Sequence, residues 1–154
     1  MLRMSRLTDY GTVVLAHLAS HQDSIASAAD VAAATGLGVP TVSKIFKTLG
    51  KAGLVTSTRG SHGGYRLARS PRDISAADVI SALEGPVSIT DCSASDRHCD
   101  FEAHCHVGSA WQRINIAIRR ALADISLLDL QRSNSRIPTF TFAGMPIITA
   151  KKAP

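Results

Sequence analysis

The spacing of apolar positions predicts a mostly helical chain interrupted once by a small β-hairpin. Residues 8–21 read as a first helix, with Tyr10, Val13, Val14, His17 and Leu18 on one side at helical spacing. His17 lies at the margin of that stripe and reads as a packed, hydrogen-bonded histidine rather than a ligand. Ser27 and Asp30, three residues apart, form a capping box that opens a short second helix. Val31, Ala34 and Leu37 carry its apolar side, and Gly36 ends it. After a four-residue turn, Pro40 suits the first turn of a third helix that runs to about Lys51. Its inner stripe is Val42, Ile45, Phe46 and Leu49. Its outer face is Thr41, Ser43, Lys44, Lys47, Thr48 and Lys51.

A short helix, a glycine-bearing turn and a helix with a polar and basic outer face make a helix-turn-helix. The chain then alternates like a strand over residues 53–58, turns through a stretch with three glycines, and returns over residues 65–68. A hairpin directly after such a helix is a wing, and its tip carries Arg59 and His62. Ile74, Ser75, Asp78 and Val79 combine a capping box with a hydrophobic staple, opening a fourth helix that Gly85 and Pro86 stop.

Residues 108–125 read as the longest helix. Trp111, Ile114, Ile118, Ala121 and Ile125 recur at 3-4-3-4 spacing, a heptad seam suited to meeting a second copy of the chain. Ser126 can start a last short helix. From Ser133 onward, Pro138, Gly144 and Pro146 interrupt the pattern. Residues 139–142 alternate like a strand within what reads as a flexible tail.

Charge gives this frame a direction. Residues 39–72 hold seven Lys or Arg and no Asp or Glu, whereas residues 91–106 hold four acids and one Arg. The basic region covers the third helix and the wing, so double-stranded DNA is the expected partner. Thr41, Ser43, Lys44 and Lys47 lie on the reading helix, and Arg59 and His62 on the wing. The formal net charge of +5 agrees with a polyanionic partner. Hydrophobic residues at 45% of the chain support a packed core, and no motif marks a substrate pocket or an activated nucleophile, so an enzyme is not expected. The N-terminus has no charged start followed by an apolar run, so no signal peptide is expected. The longest uncharged stretch near the end is too short and too broken to span a bilayer, and a cytoplasmic protein is expected.

All three cysteines lie in residues 91–106, at Cys92, Cys99 and Cys105, with His98, His104 and His106 interleaved. An odd number of thiols in a polar stretch argues against both a disulfide framework and core packing. Three readings stand. The thiolates hold an iron–sulfur cluster with a fourth ligand from elsewhere. Alternatively they hold zinc as Cys3His with one of the three histidines, stabilising an interaction domain whose winged helix binds protein instead of DNA, although the spacings are long for a zinc knuckle. In the third reading, two of them form a disulfide on oxidation.

Several motifs together carry a resemblance. They are Arg6-Leu7-Thr8-Asp9-Tyr10, the helix-turn-helix, the wing Arg59-Gly60-x-x-Gly63-Gly64-Tyr65, and the series Cys92, Cys99, Cys105 and Trp111. With these, residues 4–131 resemble the IscR/NsrR-type winged-helix regulators. Within that group they are most similar to the regulators of SUF-system iron–sulfur assembly, through Ser5 to Tyr10, Pro40 to Lys44, Leu83-Glu84-Gly85-Pro86 and Trp111-Gln112-Arg113-Ile114-Asn115. The resemblance implies a cytoplasmic homodimer on a partly palindromic promoter, repressing iron–sulfur assembly genes. It also implies a 2Fe–2S or 4Fe–4S cluster on Cys92, Cys99 and Cys105. Some members place a histidine ligand three residues after the last cysteine, where this chain has Gly108. Others use an acid from the N-terminal motif of the partner subunit, which matches Asp9; His106 is the local alternative.

The expected architecture is therefore mostly α with a small β-hairpin wing, a winged helix-turn-helix plus a long dimerisation helix. Residues 1–85 form the DNA-binding domain and residues 86–107 the cysteine loop. Residues 108–132 carry the dimer helix and a short terminal helix, and residues 133–154 form the tail.

Overall fold

The computed structural model describes residues 4–22, 24–60, 63–90, 93, 105–132, 140–142 and 145–147. The element order is α1 (Arg6–Ser20), α2 (Ala28–Thr35), α3 (Val39–Lys51), β1 (Val55–Thr58), β2 (Gly64–Leu67), α4 (Ala76–Glu84), α5 (Gly108–Ala123), α6 (Leu127–Arg132), β3 (Phe140–Phe142) and β4 (Met145–Ile147). This is the expected winged helix-turn-helix followed by a long helix. The terminal segment, read from sequence as a tail, carries a short antiparallel ladder in which Phe140 pairs Ile147.

Both expected capping boxes are present. Ser27 and Asp30 open α2, and Ser75 and Asp78 open α4, each with side chain and backbone bonded reciprocally. The Ser27 hydroxyl and backbone N–H hold the Asp30 carboxyl below its ordinary range. Gly36 closes α2 in the left-handed region, at φ 72°.

The core is assembled on α3, whose Val42, Ile45, Phe46 and Leu49 are all fully buried. They meet Val14, Leu15 and Leu18 of α1, Val31 of α2, Leu54 and Val55 at the start of the hairpin, and Ile74 and Val79 around α4. The inward face of α1 is rotated from the expected stripe. Val13 is exposed, while Gly11, Leu15 and Ala19 are buried. Ala32 rather than Ala34 points inward from α2. His17 is half-buried and its ring lies 4.6 Å from that of His21. Burial, and then the neighbouring His21, lower its pKa.

The end of α3 sets the wing. Leu54 N–H donates to Leu49 C=O at 3.0 Å and Gly53 N–H to Gly50 C=O at 3.1 Å, with Gly53 at φ 71°. This is a Schellman stop, and the buried Leu49 and Leu54 supply its apolar contact. Gly53 thus belongs to the helix stop, and the strand begins at Val55 rather than at residue 53. The hairpin pairs Val55 with Leu67 and Thr58 with Gly64. It gains a third partner in Ala26, whose N–H and C=O both bond Tyr65. A Cβ on Gly64 would lie 2.6 Å from Ala26 O, which explains the glycine there.

Two further contacts close the domain. The Glu84 carboxylate, at the end of α4, accepts the Ser5 backbone N–H at 2.7 Å and the Thr8 hydroxyl, tying α4 to the start of α1. The Thr8 hydroxyl, then the Ser5 N–H, hold the Glu84 carboxyl below its ordinary range. Farther along the same two helices, a Cβ on Gly11 would run into the Leu83 side chain, so α1 and α4 approach closely there. The chain also returns to this core after α5. Leu127 N–H donates to Ile74 C=O at 2.7 Å, Ala76 N–H donates to Ile125 C=O at 2.8 Å, and the Leu127 side chain is fully buried.

Gly64→Ala is expected to destabilise the protein by about 1–3 kcal/mol through overpacking against backbone, read as a lower urea midpoint. Glu84→Gln should flatten the acid limb of the stability curve. A depressed carboxyl contributes stability above its unfolded pKa and loses it as pH falls through the folded value, so wild type should lose its advantage over the variant below about pH 4.

Candidate nucleic-acid interface and cysteine loop

The packing of α3 leaves one face outward. Ser43, Lys44 and Lys47 are exposed and Thr41 is half-buried. Thr48 is half-buried, and its hydroxyl donates to Lys44 C=O at 3.1 Å, so it is bound within its own helix. Arg59 is exposed at the start of the wing turn, and His62 lies outside the described residues. All seven cations of residues 39–72 are exposed: Lys44, Lys47, Lys51, Arg59, Arg66, Arg69 and Arg72. Residues 39–72 contain no acid to offset them. Among the described residues one ion pair involves them, Arg69 with Asp78 of α4 at 3.7 Å.

The wing is held in register with α3 by an aromatic stack. The Phe46 and Tyr65 rings lie 4.0 Å apart at 10°. The turn is kept narrow because a Cβ on Gly63 would collide with Thr58 C=O, while Gly63 N–H donates to Gly60 C=O at 3.0 Å.

Of the cysteine loop, Cys92, Cys99, His98 and His104 lie outside the described residues. Cys105 is a half-buried free thiol and His106 is exposed. A Cβ on Gly108 would sit 3.7 Å from the Cys105 sulfur. A side chain at position 108 would thus stand beside the thiol, and glycine leaves that space open. Asp9 is exposed in the first turn of α1. Among the described residues no three His, Cys, Asp or Glu side chains converge, so Asp9, Cys105 and His106 do not assemble a site within one chain.

The long helix α5 stands away from the core. Its one buried residue is Asn115, while Trp111, Ile114 and Ile116 are 40%, 45% and 48% exposed. Ala110, Ile114, Ala117, Ile118 and Ala121, flanked by Arg113, line a shallow apolar groove along it. The helix is shorter than the expected 108–125; of the expected seam Trp111, Ile114 and Ala121 are exposed, while Ile118 and Ile125 are half-buried.

Sequence reasoning missed the tie from Glu84 to Ser5 and Thr8, which joins residues 79 and 76 positions apart. It also missed the role of Asn115, whose amide reaches the segment that enters the cysteine loop.

No helix among the described residues is long and apolar enough to cross a membrane. The model of the Rrf2 family, described as iron-dependent transcriptional regulator, matches residues 4–133. Protein rrf2 of Nitratidesulfovibrio vulgaris is 34% identical over 138 residues, covering 89% of this chain and 92% of that one. The structure of CymR (YrzC), the global cysteine regulator of B. subtilis, is similar with a TM-score of 0.67 and 30% identity, over 86% of this chain and 98% of that one. T. potens IscR is similar with a TM-score of 0.64 and 33% identity, over 87% and 89%. With the family model spanning both the winged domain and the long helix, the chain belongs to the Rrf2 family of transcriptional regulators.

Proposed function

We propose that this regulator is a homodimer that binds a partly palindromic promoter and senses an iron–sulfur cluster held by Cys92, Cys99 and Cys105. Repression of iron–sulfur assembly genes is the direction we assign. One observation carries the reading: the cysteine loop is inserted between the winged core, which it leaves after α4, and the exposed helix α5. Whatever orders that loop acts on both elements.

The donor set fits the group. Three thiols within fourteen residues match the ligand preference of iron–sulfur clusters, and Cys105 has open space beside its sulfur at Gly108. When bound, a cluster supplies a redox- and iron-dependent crosslink among its ligands. Asp9 of the partner subunit is our choice of fourth ligand, being an exposed acid in the first turn of α1. His106 is the local alternative.

The chain's own residues do the rest. The apolar stripe of α5 meets its copy; covering the 45% of Ile114 that is exposed contributes roughly half of the about 1.5–3 kcal/mol that full burial of such a side chain supplies. Dimerisation sets two α3 helices against successive major grooves, roughly 34 Å apart. Thr41, Ser43, Lys44 and Lys47 face the bases and phosphates there, and Arg59 and His62 of the wing face the backbone or minor groove. A shift in the order of the loop changes how the α3 pair is presented.

A second reading has support of its own. The likeness to CymR, a global cysteine regulator, favours a regulator that answers to thiol chemistry without a cluster, by a disulfide or a zinc ion in the same loop.

Anaerobically purified protein is expected to absorb in the visible and to carry iron with sulfide. A colourless protein with stoichiometric zinc would sink the cluster reading. In the same series Asp9→Ala should lose the cluster faster than His106→Ala; loss in His106→Ala alone would move the fourth ligand to His106. Lys44→Ala and Arg59→Ala are each expected to weaken promoter binding and to lower the slope of log affinity against log salt by roughly one, with unfolding unchanged. Unaltered affinity and slope in both would count against the proposed surface.

A further inference from the structure

The leading end of α3 carries a residue that neither the core nor the charge of the helix explains. Val39 is the first residue of α3 and is 46% exposed, the one exposed large apolar side chain on that helix. Residues four apart on a helix lie one above the other on the same face. Val39, Ser43 and Lys47 make such a row, and all three are exposed. Val42, Ile45, Phe46 and Leu49 are fully buried and hold the other side of the helix. Val39 therefore heads the row that Ser43 and Lys47 continue. Helical side chains tilt toward the N-terminus, so Val39 projects at the end of α3 that enters first in a helix-turn-helix, where base edges are met.

Local stability does not ask for valine at this position. A β-branched side chain is a poor helix former, and the helix dipole favours an acid in a first turn. The first turn of α3 holds no acid, and Gly38 gives it no side-chain cap. Gly38 itself is not demanded by the fold. Its φ of −69° is open to any residue. A Cβ there would meet Pro40 Cδ at 3.8 Å and Thr41 Oγ1 at 3.9 Å, which are ordinary contacts. Glycine leaves the backbone beside Val39 bare, as suits the close approach of a ligand.

We propose that Val39 is a specificity-determining residue that reads the C5-methyl group of one thymine in each half-site. The inference deepens the proposed function and rests on its reading of α3 as the DNA-facing helix. An isopropyl group has no donor or acceptor, so the hydrogen-bonding edges of the bases offer it nothing. Among the base edges in the major groove the thymine methyl is the apolar group. Cytosine carries hydrogen at the same carbon and leaves Val39 without that contact. Val39 thus selects thymine over cytosine at one position, while Ser43 and Lys47, farther along the row, bring polar groups to neighbouring edges and phosphates.

The test begins with a random duplex pool, from which full-length wild-type protein selects its own site in its anaerobic state and in its metal-free reduced state. In the selected duplex each thymidine is replaced in turn by deoxyuridine, which keeps the O4 acceptor and the base pairing and lacks the methyl. Wild type is expected to lose about fourfold in affinity at one thymine per half-site, the effect of exposing one buried carbon group. Val39→Ala should bind the thymine duplex about fourfold more weakly and be indifferent to uracil at that position, whereas Val39→Ile keeps the dependence. Both variants should unfold at the wild-type urea midpoint, since the side chain lies outside the core. Crossing the protein change with the base change separates a methyl contact from altered stacking within the DNA. No methyl dependence in wild type, or a dependence undiminished in Val39→Ala, would overturn the inference and leave the DNA reading standing. A wild type that enriches no sequence in either state would overturn the DNA reading and this inference with it.

Discussion

The face of α3 that is buried decides where everything functional points. Val42, Ile45, Phe46 and Leu49 are inaccessible to solvent, so the rotation of that helix about its axis is set by close packing and not by its polar side. A helix fixed in this way has its outer residues fixed as a set. Phe46 extends the constraint by stacking on Tyr65, and the Schellman stop at Gly53 extends it along the chain into β1. The wing is therefore referred to the same core as α3, which fixes the backbone that carries Arg59 relative to the helix that carries Lys44 and Lys47.

The second half of the chain is organised differently. It leaves the core after α4, passes through the cysteine loop, runs along α5 with most of that helix exposed, and returns at Leu127. Both feet of this excursion are hydrogen-bonded to the winged core or to its connections, through Ile74, Ala76 and Leu127 at one foot. A helix such as α5, largely exposed along its length and followed by a return to the core, is suited to take up a partner chain and to pass its effect back to the core. Its acidic loop and the basic reading surface lie in different segments, so occupancy of one need not compete with DNA at the other.

Much of this was legible in the residues because the relevant physics is local. Capping boxes act across three residues, and Ser27 with Asp30 and Ser75 with Asp78 behave as their spacing demands. The α3 stripe was equally plain, since four large side chains at i, i+3, i+4 and i+7 leave one inward direction. The α1 stripe was less so. Val13 and Leu15 are both apolar and lie on opposite sides of Val14, and only the approach of Gly11 to Leu83 shows which side meets α4. Contacts between residues distant in the chain left no local trace. Glu84 reaches back to Ser5 and Thr8, Gly64 is required by Ala26, and Asn115 bonds Val87 and Ser93. At the candidate site, the basic face and the thiols were visible as residue types in sequence. The opening beside Cys105 at Gly108, and the tie at Asn115, needed coordinates.

The central claim is that the state of the cysteine loop is read at α3 and the wing. Its most direct measurement is the promoter affinity of one anaerobic preparation at fixed salt, before and after the metal is removed by a chelator, with the thiols kept reduced. A change of about tenfold or more is expected, the equivalent of about 1.4 kcal/mol between the two states, with the slope against salt preserved because the same cations face the phosphates. Equal affinity in both states would contradict it.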